Sequence, residues 1–186
     1  MRIIIFILLL IGLFEAVQAQ KDQISIAAGP LLSFPLKSNS RTGKSYLNTG
    51  VGLEGIGQYN FSEKSALLLK TGLASWAYKD REITDSVLAH YGNKRLTLLS
   101  IQGGYRYQIG TSGFFINGLI GLDFDLHDRL TTRSFTLGAG KRFLMKKDRF
   151  LDTGIDLLRG HTQTEETQTR LNMKVVFRLF QQSEKK

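Results

Sequence analysis

Hydrophobic and polar residues alternate with a two-residue period along much of this chain, most clearly from Gly50 to Phe61 and from Arg170 to Leu179. In the first stretch Val51, Leu53, Tyr59 and Phe61 share one parity against Gly50, Gly52, Glu54, Gln58 and Asn60, and only Ile56 breaks the pattern. In the last, Leu171, Met173, Val175, Phe177 and Leu179 alternate with Arg170, Asn172, Lys174, Val176 and Arg178. Successive side chains of a strand point to opposite faces, so each stretch predicts a strand with one apolar and one polar face. The same reading predicts about eight strands, over residues 23–33, 48–61, 65–78, 95–108, 114–124, 134–143, 149–158 and 170–180, each long enough to cross a bilayer when tilted. Periodicity alone does not say which face meets water. A soluble sandwich or lipocalin-like carrier hides its apolar face, whereas a membrane barrel presents it to lipid.

The compartment is read from the N-terminus. Arg2 is a short positive region, Ile3 to Leu13 is an apolar run too short to span a bilayer comfortably, and Val17-Gln18-Ala19 resembles an Ala-x-Ala cleavage site. Residues 1–19 are therefore expected to be a cleaved export signal, residues 20–180 one barrel domain and residues 181–186 a polar tail. The chain contains no cysteine, which excludes disulfides, thiolate catalysis and lipid attachment through cysteine. No later segment is apolar for long enough to form a transmembrane helix, so a membrane span has to be built from strands. Two prolines and nineteen glycines suit close backbone approaches in a small barrel.

The joints between the predicted strands alternate in length. Those over 62–64, 109–113 and 144–148 are short, while 34–47, 79–94, 125–133 and 159–168 are longer and polar. With both termini in the periplasm, short turns fall on the periplasmic side and long loops outside.

The glycine-rich second, fourth and sixth strands, GVGLEGIGQYNF, LLSIQGGYRYQIG and SFTLGAGKRF, resemble the small outer-membrane β-barrel proteins of the Bacteroidetes, a PorT-like grouping, and at the level of architecture OmpX and the OmpA membrane domain. The resemblance spans essentially the whole mature chain and implies an eight-stranded antiparallel up-and-down transmembrane barrel in the cell outer membrane. It also implies insertion by the barrel-assembly machinery, which reads an aromatic-ended last strand; Phe177, Leu179 and Phe180 are candidates, although the polar tail follows them. A role in envelope biogenesis or secretion, with an envelope protein as partner, follows by analogy.

By parity, Glu54, Lys70, Arg106, Asp123, Arg142, Asp152, Asp156, Arg170, Lys174 and Arg178 point into the barrel. A barrel of about eight strands is just wide enough for side chains to fill it, so these charges are expected to form a paired plug, with Glu54 and Lys70 at similar depth on adjacent strands. The alternative is a narrow ion or small-solute channel. On the other face Tyr59, Phe61, Tyr105, Tyr107, Phe143 and Phe150 lie near the short turns and are expected to form an aromatic girdle, with Lys141 snorkelling at the same rim.

Catalysis finds little support. A lipid-modifying barrel enzyme would need serine, histidine and carboxylate together, but His90, His127 and His161 all fall in loops without a serine at matching parity. His127 between Asp125 and Asp128 does not amount to a defined metal site. No cofactor is called for. The formal net charge of +9 carries no phosphate-binding loop or other nucleic-acid motif. Instead Lys37, Arg41 and Lys44 gather in the first long loop as candidate contacts for lipopolysaccharide phosphates. The expectation is a non-enzymatic outer-membrane barrel with a structural, envelope-biogenesis or surface-interaction role.

Overall fold

A computed structural model describes residues 23–37, 47–78, 95–127, 131–145, 150–161 and 167–182. They form eight strands, β1 (Gln23–Lys37), β2 (Gly50–Asn60), β3 (Ser65–Ala77), β4 (Arg95–Ile109), β5 (Phe114–Asp125), β6 (Thr131–Leu144), β7 (Phe150–His161) and β8 (Thr167–Gln182). Each strand pairs antiparallel with the next, and β1 pairs with β8 to close the barrel. Closure leaves no strand edge with unpaired backbone groups. Among the described residues no helix is long and apolar enough to cross a membrane.

The side chains are distributed inside out relative to a water-soluble protein. Leu53, Leu69 and Ile120 are 67%, 63% and 68% exposed on the outer wall. Glu54, Lys70, Arg106, Asp123, Asp152, Asp156, Arg170 and Lys174 are buried in the lumen. The lumen also holds two apolar clusters. Ala27, Ile56, Leu68, Leu119, Phe150 and Val176 form one, while Leu31, Leu47, Ala74, Trp76, Leu96 and Leu98, with Tyr78 against them, form the other. Gly50 makes room for the second: a Cβ there would lie 2.3 Å from the Trp76 ring.

Two expectations are corrected. Phe150 is not part of an outer aromatic girdle; it shares parity with Asp152 and is buried within the lumen. The strands also run further than expected at the loop end, because Thr131, Thr132 and Thr167 continue the ladder. The connections over 126–130 and 162–166 are then five residues each, the same length as 145–149, so the alternation of joint lengths survives only in 38–49 and 78–94. At the turn end β8 continues through Gln182.

Candidate functional site in the barrel lumen

The luminal charges form three groups that succeed one another along the strands. On β8, moving from the turn end to the loop end, Arg178, Val176, Lys174 and Arg170 come in that order. The middle group is charge-balanced. Lys70 Nζ on β3 lies 2.9 Å from Glu54 Oε2 on β2 and 2.8 Å from Asp156 Oδ2 on β7. Lys174 Nζ on β8 lies 3.1 Å from Glu54 Oε1 and 2.7 Å from the same Asp156 oxygen. Two ammoniums and two carboxylates thus tie β2 and β3 to β7 and β8 across the lumen. Gly138 on β6, the register partner of Asp156, leaves space for this group: a Cβ there would meet Asp156 Oδ1 at 2.0 Å and Asn117 Nδ2 at 2.7 Å.

Towards the turns, Asp152 accepts from Arg142 through Nε at 2.8 Å and Nη2 at 2.9 Å, while Arg106 Nη1 donates to its Oδ2 at 2.7 Å. Gln58 Oε1 accepts from both guanidiniums, at 3.0 Å and 3.1 Å. Aromatic faces complete the packing, with Arg106 Cζ 4.0 Å from the Phe115 centroid and Arg142 and Arg178 Cζ 3.8 and 3.6 Å from that of Phe150. Arg178 is half-buried.

Towards the loops, Arg170 donates to Asp123 and lies 5.0 Å over the Trp76 ring. Ser134 Oγ donates to Asp123 Oδ1 at 3.2 Å and accepts from Gln102 Nε2 at 2.8 Å, and Thr136 donates to Gln102 at 3.1 Å. The Leu47, Trp76, Leu96 and Leu98 cluster lies beyond this group.

Parity on single strands identifies the inward-facing charges but misses the apolar layers between them, since Leu67-Leu68-Leu69 and Leu98-Leu99 are apolar on both faces. It also misses the partnership of Lys70 with Asp156, which arises only when the barrel closes. Arg41, Lys44, His90 and Asp128 lie outside the described residues, as does the side chain of Lys37. So do the export signal at 1–19 and the last four residues. His127 is exposed, with its backbone N–H donating to Asp125 Oδ1 at 2.9 Å, and His161 is exposed as well. Among the described residues no group of three or more histidines and carboxylates gathers that could hold a metal ion. Lys141 lies on the outer wall at the turn end, its Nζ 4.9 Å and 5.3 Å from the Phe114 and Phe143 rings.

No protein-family model and no curated protein matches this sequence. Solved structures do match its fold. Ail, the attachment invasion locus protein of Yersinia pestis, in complex with the heparin analogue sucrose octasulfate, superposes with a TM-score of 0.54 at 13% identity, over 86% of this chain and 100% of Ail. Neisserial surface protein A (NspA) gives a TM-score of 0.56 at 12% identity, over 84% of this chain and 95% of NspA. The shared feature is the fold, the small closed barrel of the OmpX-like outer-membrane type.

Proposed function

We propose that this chain is an integral outer-membrane barrel, exported with loss of residues 1–19, that acts without catalysis through its loops as a structural or surface-interaction protein of the envelope. The observation that carries this reading is the inside-out wall. An apolar band such as Leu53, Leu69 and Ile120 is costly in water and favourable in lipid. The luminal charges are cross-braced in pairs, which favours a filled lumen over a conducting one, since Lys70 and Lys174 each contact carboxylates from two strands. The exposed Phe177, Leu179 and Phe180 near the end of β8, the last of them two residues before its final position, suit the barrel-assembly machinery. Kinship with PorT-like barrels would extend the role to envelope biogenesis or secretion.

The surface partner proposed is polyanionic. Lys37, Arg41 and Lys44 would meet the phosphates of lipopolysaccharide by charge-assisted hydrogen bonds, and the complex of Ail with a heparin analogue supplies a precedent in this fold. The test is flotation of the refolded mature chain with vesicles containing or lacking lipopolysaccharide. Insertion into both, with tighter association in the first that is lost on replacing all three cations by Gln, is the expected outcome. A mature chain that stays soluble without detergent would refute the membrane reading. Steady single-channel conductance in a planar bilayer would refute the filled lumen, and an altered lipid A mass would refute the non-enzymatic role.

A further inference from the structure

A cavity of about 570 Å³ opens at the turn end of the lumen, and Arg142 and Arg178 form part of its wall. We propose that this cavity is a binding site for a small oxyanion, a phosphate or carboxylate group reaching it from the aqueous side of the turns. Three observations carry the inference, and none depends on the surface role proposed above.

The first is charge. Arg106 and Arg142 both bond to Asp152 Oδ2, so one carboxylate serves two guanidiniums and leaves one positive charge uncompensated within that group. Arg106 is 4% exposed and does not line the cavity, so it contributes charge to the site and not a bond. The middle group, by contrast, is neutral and exerts no such field. Glu63 at the cavity rim is exposed to solvent, where its opposing charge is weakened by screening without being abolished.

The second is geometry. The bonds of Arg142 to Asp152 and Gln58 use Nε and both hydrogens of Nη2, which leaves its Nη1 for a further acceptor. That nitrogen offers an anion oxygen a charge-assisted hydrogen bond while the Nε–Nη2 fork stays on Asp152. Arg142 and Arg178 are both held over the Phe150 ring, so much of their rotamer freedom is already lost on folding and is not a cost of binding.

The third is the remaining lining. Asn60, Gln108 and Thr111 bring amide and hydroxyl groups to the same cavity, suited to the oxygens or hydroxyls of a polar body attached to the anion. The volume falls within the range of small-molecule sites and exceeds that of a bare phosphate.

The test is a titration of the ¹⁵N-labelled full barrel in an uncharged, phosphate-free detergent, with inorganic phosphate and separately with citrate, at ionic strength held constant with sodium chloride. Saturable shifts of backbone amides in 110–113 and at Arg142 are expected, with none at the loop end. Arg178→Gln, which removes one of the two cations in the cavity wall, should weaken the affinity roughly tenfold. Glu63→Gln, on the rim and outside the ion network, should tighten it several-fold and serves if Arg178→Gln does not fold. Shifts that grow linearly without saturation, or affinities unchanged in both variants, would overturn the proposal. Repeating the titration in lipid discs with and without an anionic phospholipid distinguishes the sources. If anionic lipid abolishes the phosphate response, the natural oxyanion is a headgroup; if the response persists, it is a solute.

Discussion

The two ends of the lumen are filled by opposite means. At the loop end Leu47, Trp76, Leu96 and Leu98 pack together above one balanced ion pair, Arg170 with Asp123. At the turn end guanidiniums crowd around Asp152 and border an open cavity. Apolar packing is non-directional and seals; it leaves nothing for a polar solute to bind. Clustered guanidiniums need acceptors in fixed directions, and a carboxylate shared between two of them leaves the group cationic and receptive. One small barrel thus has a neutral stopper at one mouth and a charged vestibule at the other.

Removing the anion that organises the turn end should have the largest effect. Asp152→Ala leaves Arg106 and Arg142 without their shared acceptor and should lower stability by about 3 to 5 kcal/mol, read as a fall in the urea midpoint of vesicle-inserted barrel. Adding Arg106→Met should restore part of that loss, because the penalty comes from uncompensated charge. The same logic applied to the neutral middle group predicts that Glu54→Gln is partly rescued by Lys70→Met; additive effects in both cycles would mean that the lumen at these depths is wet.

The loop end should behave differently. Leu98→Ala removes packing and should cost about 2 to 5 kcal/mol, with no repair from Arg170→Met, since no charge is left exposed by the change. Repair in that double mutant would erase the distinction between the two ends. On the outer wall, Leu53→Arg near the middle of the band should cost about 2 to 4 kcal/mol in folding into vesicles. The smallest effect is expected at the turn-end rim, where Lys141→Gln removes exposed cation–π contacts worth about 0.5 to 1 kcal/mol. A larger loss there would show that Lys141 holds more than the two rings.

How much of this is legible in the chain follows from what a strand encodes locally. Alternation assigns Glu54, Lys70, Asp156 and Lys174 to one face because the period is two regardless of neighbours, and their burial in the structure is a property of that face. Closure is less local. Whether Lys70 meets Asp156, 86 residues away, depends on the stagger of every intervening pair, which parity does not contain. Phe150 illustrates a different limit: its parity with Asp152 and Asp156 places it inside, but an aromatic near a turn suits the rim as readily as a guanidinium stack, and nearness to the turn does not override phase. The joints at 126–130 and 162–166 were obscured by threonines, which suit both a polar loop and an extended ladder.

The stopper at the loop end has an optical consequence. Trp76 is the single tryptophan of the chain and is 1% exposed. Its indole emission therefore samples one mouth of the barrel and no other place, with the Arg170 cation 5.0 Å above the ring as a built-in perturber of the excited state. A fluorescence melt would time the release of that mouth rather than the unravelling of the molecule. Loosening among Arg106, Arg142 and Asp152 would pass dark, and a mismatch between emission and amide circular dichroism would reveal that the two mouths come apart in sequence.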